Sequence, residues 1–114
     1  MAKLVNLTPH SINVLDKNNQ EIMAIPSTGI ARCTVVKENI GSVNNIPINA
    51  SKFGEVEGLP EAQQDTIYIV SLLVAQAVAN RKDILIVDDT VRDEQGRIIG
   101  CRAFGKVGVW DVQN

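Results

Sequence analysis

Between Thr66 and Asn80 the chain carries a strand-to-helix unit that almost no polar side chain interrupts. Thr66-Ile67-Tyr68-Ile69-Val70 reads as a buried strand, and Ser71 to Asn80 (SLLVAQAVAN) as a helix whose only polar residues are Ser71, Gln76 and Asn80. A helix apolar nearly all round has to be covered on more than one side. The chain has 114 residues, enough for one hydrophobic core and too few for two ordinary domains, so residues 1–114 read as a single domain. One small sheet covers only part of such a helix. The expectation is a homo-oligomer in which a second subunit covers the rest.

Val and Ile together supply 27 residues, and branched side chains favour the pleated surface of a sheet. Lys3 to Asn6, Ser11 to Asp16 and Glu21 to Ile25 read as short strands around Thr8-Pro9 and the polar turn Asp16-Lys17-Asn18-Asn19-Gln20. Ile30 to Lys37 reads as another strand. From Glu38 to Pro60 the pattern is choppier, with short apolar pieces at Ile46 to Ile48 and Phe53 to Val56 between Gly, Asn and Pro interruptions. Ile84 to Val87 is a further strand, and Val91-Arg92 and Arg97 to Phe104 flank a four-residue hairpin loop, Asp93-Glu94-Gln95-Gly96. The tail Val107 to Gln113 suits an edge strand. The fold class is α+β: a strand-rich small domain, an antiparallel or mixed sheet of hairpins, with one main buried helix, oligomeric.

Scarcity narrows the chemistry. One histidine and two cysteines leave little for a triad or a zinc site, and no Walker loop or G-x-G-x-x-G is present. His10 with Ser11 or Asp16 lacks any oxyanion-hole motif, and Cys33 and Cys101 read as reduced core residues. No cofactor and no metal are expected. Aromatics are 4% and the net charge is −2, which disfavours polymeric nucleic acid. The longest apolar run is too short to span a membrane, and the N-terminus has no signal-peptide pattern, so a cytoplasmic location is expected. A small charged ligand needs only a few cationic side chains and backbone donors.

Several residues fit that role, each beside a plainer reading. Arg92 and Arg97 face one another across the expected hairpin; either Asp93, Glu94 or Asp89 screens them, or they bind a phosphate-bearing ligand. Arg102 and Phe104 share a strand face with Gly100, which suits a nucleotide with its base stacked and its phosphate paired; the alternative is a core Phe104 and a surface ion pair for Arg102. Ser71 is an N-cap or an anion contact, and Asn80 with Arg81 closes the helix or reaches a ligand. Glu55 and Glu57 alternate on one strand face and either hold a cation or a ribose diol or are simply solvated.

The strings LVNLTPHSINVLD, FGEVEGLPE, TIYIVSLLVAQAVANRKD and VRDEQGRIIGCRAF, in that order, resemble small phage proteins that inhibit the Thoeris defence system. Those proteins act as sponges: they bind the cyclic ADP-ribose-type signal of a TIR-domain enzyme and withhold it without cleaving it. The resemblance implies a strand-rich protomer assembled as dimers or trimers of dimers (a hexamer), with pockets partly across the subunit interface. It also implies a separate site for cyclic oligonucleotides in some members. By position it assigns Arg97, Arg102, Phe104, Asn80 and Arg81 to the pocket, with Tyr68 the aromatic near the helix, and offers Arg32 as a cation for the second site.

The leading expectation is therefore a non-catalytic protein that sequesters a cyclic ADP-ribose-type nucleotide in an infected or lysogenic bacterial host. Arg97, Arg102, Phe104, Asn80, Arg81, Arg92, Ser71 and Arg32 are its candidate ligand-binding residues. The alternative is a phage inhibitor or regulator that docks directly on a host protein.

Overall fold

The structure is a computed structural model, and it describes residues 2–108. In chain order its elements are β1 (Lys3–Asn6), β2 (Ile12–Leu15), β3 (Glu21–Ile25), β4 (Arg32–Val43), β5 (Ile46–Glu57), β6 (Thr66–Ile69), α1 (Leu72–Ala77), β7 (Ile84–Arg92) and β8 (Ile98–Gly105). Six strands form one mixed sheet in the order β1-β6-β7-β8-β2-β3, and β4 and β5 pair separately as an antiparallel hairpin. The strand-rich expectation with a mixed sheet is met. No helix among the described residues is long and apolar enough to cross a membrane.

The six-stranded sheet curls until its outermost strands meet. Asn6 at the end of β1 bridges to Ser27 just beyond β3, and the Thr28 N–H donates to the Asn6 carbonyl at 3.0 Å. The inside of the curl is filled by Ile12, Ile25, Ile69 and Cys101, with Leu4, Val14, Val87 and Phe104 packed against them. Every strand of the sheet contributes at least one of these side chains. A second cluster lies on the outer side of β6 and β7, where Tyr68, Val70 and Ile84 meet Val74 and Ala75 of α1 and Leu7 and Ala31 from the loops. Successive residues of β6 thus point into two different apolar layers, which is why the Thr66 to Val70 run contains no charge.

The helix is shorter than the sequence predicts. It spans six residues, and Val78, with φ −120° and ψ 37°, has left helical geometry, so the Arg81 N–H bonds back to the Val78 carbonyl three residues earlier. Arg81 itself is anchored to Asp83 and the Pro60 carbonyl, which pulls the chain off the helix axis before Asn80. Only Val74 and Ala75 are fully buried, while Leu72 keeps 53% of its surface exposed.

The larger departure lies at residues 32–57. The choppy stretch is a single hairpin of two twelve-residue strands, joined at Asn44-Asn45. Both asparagines have positive φ (50° and 66°), the geometry of the tight turn whose twist matches that of its flanking strands. Register shifts at Cys33/Val35 and Asn39/Gly41 absorb the residues that break the alternation in sequence. Only the base of this arm packs on the body, through Cys33 and Val56. The radius of gyration, 16.8 Å, exceeds the roughly 13 Å of a compact chain of this length because the arm projects. Of the C-terminal strand expected over Val107 to Gln113, residues 109–113 lie outside the described residues, and Val107 and Gly108 form a bend.

Candidate functional site

Strand direction gathers one set of loops at one end of the curled sheet. β1, β6 and β7 are parallel, β8 and β2 run against them, and β3 runs against β2. The same end therefore holds the segment after β1, the start of β2, the β6–α1 junction and the β7–β8 hairpin loop. A cavity of about 450 Å³ opens there. Leu72, Ile98 and Ile99 give it an apolar wall, and His10, Ser11, Asn13, Ser71 and Thr90 supply polar edges. A concave, mostly apolar site with a few convergent polar groups is the usual form of a small-molecule pocket.

Asn6 holds the near wall from behind. It is fully buried, its side-chain amide donates to the carbonyls of His10 (2.8 Å) and Ile25 (2.9 Å), and its Oδ1 accepts from the Thr8 N–H (2.9 Å) and hydroxyl (2.7 Å). The turn carrying His10 and Ser11 is thereby fixed to the end of β3. Across the mouth, Asn13 donates to the Ile99 carbonyl at 3.3 Å, which joins the walls made by β2 and β8. A side chain at Gly100 would collide with the Asn13 carbonyl and Leu15, so this glycine makes room for β2. The sequence suggests that this space admits a ligand; it is filled by protein.

Ser71 also lines a second cavity of about 460 Å³, between α1 and the base of the arm, together with Arg32, Glu55, Glu57 and Leu73. Ser71 occupies the N-cap position, yet its hydroxyl makes no capping bond to the helix and stays available to a ligand. Arg32 is exposed and forms no ion pair with any described residue. Glu57 lies opposite it in the β4–β5 register. This second cavity thus combines one free guanidinium with two carboxylates, a donor fork for phosphate and acceptors for hydroxyls.

The other candidate residues do not converge with these two. Arg92 is paired with Ile98, not with Arg97, and its guanidinium donates to the Gly96 carbonyl at 2.7 Å. Arg97 lies in the loop, bridged to Asp93 at 3.3 Å and hydrogen-bonded to Gln95. Asp93 thus screens Arg97, whereas Arg92 is met by a backbone carbonyl, and Gly96 takes the positive φ (82°) that the turn requires. Arg102 donates to Asn19 at 2.9 Å and pairs with Asp89 at 3.3 Å, while Phe104 packs against the interior of the sheet. The plainer reading of this pair is the observed one. Asn80 is exposed in the turn after α1.

Arg81 is a structural residue. It forms a two-point bridge to Asp83 (3.0 and 2.6 Å), donates to the Pro60 carbonyl at 2.9 Å and lies 5.9 Å from the Tyr68 ring centre. Hydrogen bonding to Asp83 raises its pKa further, against the opposing effect of burial. Tyr68 is buried beneath it and presents no face to a ligand.

Ser11 donates to the Ile25 carbonyl at 3.5 Å and makes no hydrogen bond to His10, so no nucleophile–base pair is assembled there. Among the described residues no group of three His, Cys, Asp or Glu is placed to hold a metal. Asn6 and Asn13 were not singled out by the sequence pattern; an asparagine ending a strand just before Thr-Pro-His was the available signal for the first. Compared with known proteins, the chain matches no family, no curated sequence and no solved structure.

Proposed function

We propose that the protein binds and withholds a cyclic ADP-ribose-type nucleotide without cleaving it. The observation that supports this reading is the pair of cavities that share Ser71, one largely apolar and one carrying Arg32, Glu55 and Glu57. The base would lie against Leu72, Ile98 and Ile99. Ser71 and Arg32 would donate to the phosphates, and Glu55 and Glu57 would accept from ribose hydroxyls. Each charge-assisted contact is worth about 1.5–3 kcal/mol, so a few of them with an apolar base site suffice for tight retention. Holding the ligand needs no general base, only slow release. The reading includes a homo-oligomer and a cytoplasmic location in an infected or lysogenic bacterial host.

Titration calorimetry with cyclised ADP-ribose isomers tests the binding, and heating the complex should return intact ligand. Recovery of a hydrolysed product would replace withholding with catalysis.

A second reading, direct docking on a host protein, is favoured by the projecting arm, where Ile40 and Ile46 are 63% and 62% exposed. A host-protein complex that survives removal of small nucleotides and is unaffected by Arg32→Ala would favour it.

A further inference from the structure

The β4–β5 arm has two chemically different faces. Along β5, Ile46, Ile48, Ala50 and Lys52 alternate onto one face, and their register partners Val43, Gly41, Glu38 and Val36 share it. The opposite face carries Lys37 beside Ser51, Asn39 beside Asn49 and Ser42 beside Pro47, with the apolar pair Val35 and Phe53 on it only nearer the body. Over residues 36–50 the arm, whose twelve-residue strands are roughly 40 Å long at about 3.3 Å per residue, is thus an amphipathic ribbon with an aliphatic strip open to solvent. A two-stranded ribbon is marginal by itself in water and gains stability when an apolar face is covered.

We propose that a second copy of this chain covers the strip, the two arms stacking face to face about a two-fold axis that runs along them. The charges on the strip select that occupant. They are one acid and one base, Glu38 and Lys52, at neighbouring levels and 3.4 Å apart. With the axis along the arm, β4 lies over the partner's β5. Val43 meets the partner's Ile46, and Glu38 meets the partner's Ala50 diagonally beside the partner's Lys52. Symmetry repeats each contact. Two Glu38–Lys52 pairs then become a closed ring of four alternating charges at the base of the aliphatic strip, and no charge is buried unpaired. The Lys52 stem covers the partner's Val36. This deepens the oligomeric part of the reading above and is independent of the ligand.

Sedimentation of the full chain without nucleotide tests it. The expected result is a species of an even number of chains that Ile46→Glu reduces to half that number, with an unchanged circular dichroism spectrum. Glu38→Lys and Lys52→Glu each leave like charges facing like and should each weaken the assembly at least tenfold. Mixed together they set two positive charges on one arm against two negative charges on the other, and should reassociate at low salt. A wild-type monomer at micromolar concentration would overturn both the arm interface and the oligomer. A wild-type oligomer indifferent to Ile46→Glu would overturn the arm interface alone, as would failure of the mixed variants to reassociate.

Discussion

The Asn6 side chain donates to the Ile25 carbonyl across 2.9 Å, and so ties together the first and last strands of the six-stranded sheet. Both its amide hydrogens and its oxygen are used, with His10 and Thr8 as the other partners. A buried polar side chain with every bond made specifies one arrangement of the chain around it; a half-satisfied one costs more than an apolar residue would.

Asn6→Leu should therefore destabilise the protein by about 2–4 kcal/mol, since it removes four hydrogen bonds at once, leaves the Thr8 N–H without its side-chain acceptor and puts a bulkier side chain into a fully buried site. Urea denaturation should show a lower midpoint with little change in slope. A change below 0.5 kcal/mol would mean that the sheet edges are held by something else.

Arg32 and the arginines of the β7–β8 hairpin should behave differently toward a nucleotide. Arg32 forms no ion pair with any described residue and lines a cavity, whereas Arg97 and Arg102 are already paired with Asp93 and Asp89. Arg32→Ala should weaken binding of a cyclic ADP-ribose-type ligand by tenfold to a hundredfold, the loss of one charge-assisted contact. Arg97→Ala and Arg102→Ala should change it less than threefold in calorimetric titration. The opposite ranking would return the site to the hairpin.

Sequence pattern located what local chemistry determines. The strand from Thr66, the turn at Gly96 and the hairpin around it follow from side-chain alternation and from backbone positions that glycine favours. The arm was not legible, because two register shifts break the period of two over which alternation is read. The candidate site was half legible for a related reason. Ser71 and Arg32 were picked out by type, but strand direction sends Arg102 and Arg81 toward contacts of their own, and parallel pairing of β1, β6 and β7 is a long-range property no short segment encodes. Nothing in the string GCRAF distinguishes an Arg102 bound to Asp89 from one awaiting a phosphate.

Arg81 and Asp83 form the least exposed ion pair among those of the described residues, with side chains 22% and 14% exposed. Arg81→Met removes the bridge, the Pro60 contact and the cation over Tyr68 together, and leaves the Asp83 carboxylate poorly solvated. A loss of about 1–3 kcal/mol is expected, smaller than for a fully buried pair because water still reaches both groups. Arg81→Lys should recover only part, since an ammonium cannot reproduce the two-point geometry. Thermal unfolding of the two variants gives the comparison, and full recovery by lysine would show that charge alone matters.

Cys101 links stability to alkaline pH. It lies inside the curled sheet, and burial pushes its thiol pKa above the ordinary value, outweighing hydrogen bonds from the backbone of Ala103 and Asp88 that act the other way. The folded state therefore holds the thiol proton more tightly than the unfolded chain does. Its contribution is fully present below the unfolded thiol pKa, about 8.5, and is lost as pH rises from there through the folded value. Urea midpoints should fall between pH 8 and 10 in the wild type and fall less in Cys101→Ala, with Cys33 common to both. In native protein a thiol reagent should label the half-buried Cys33 well before Cys101. Equal labelling rates, or an alkaline slope that Cys101→Ala leaves unchanged, would place the titrating group elsewhere.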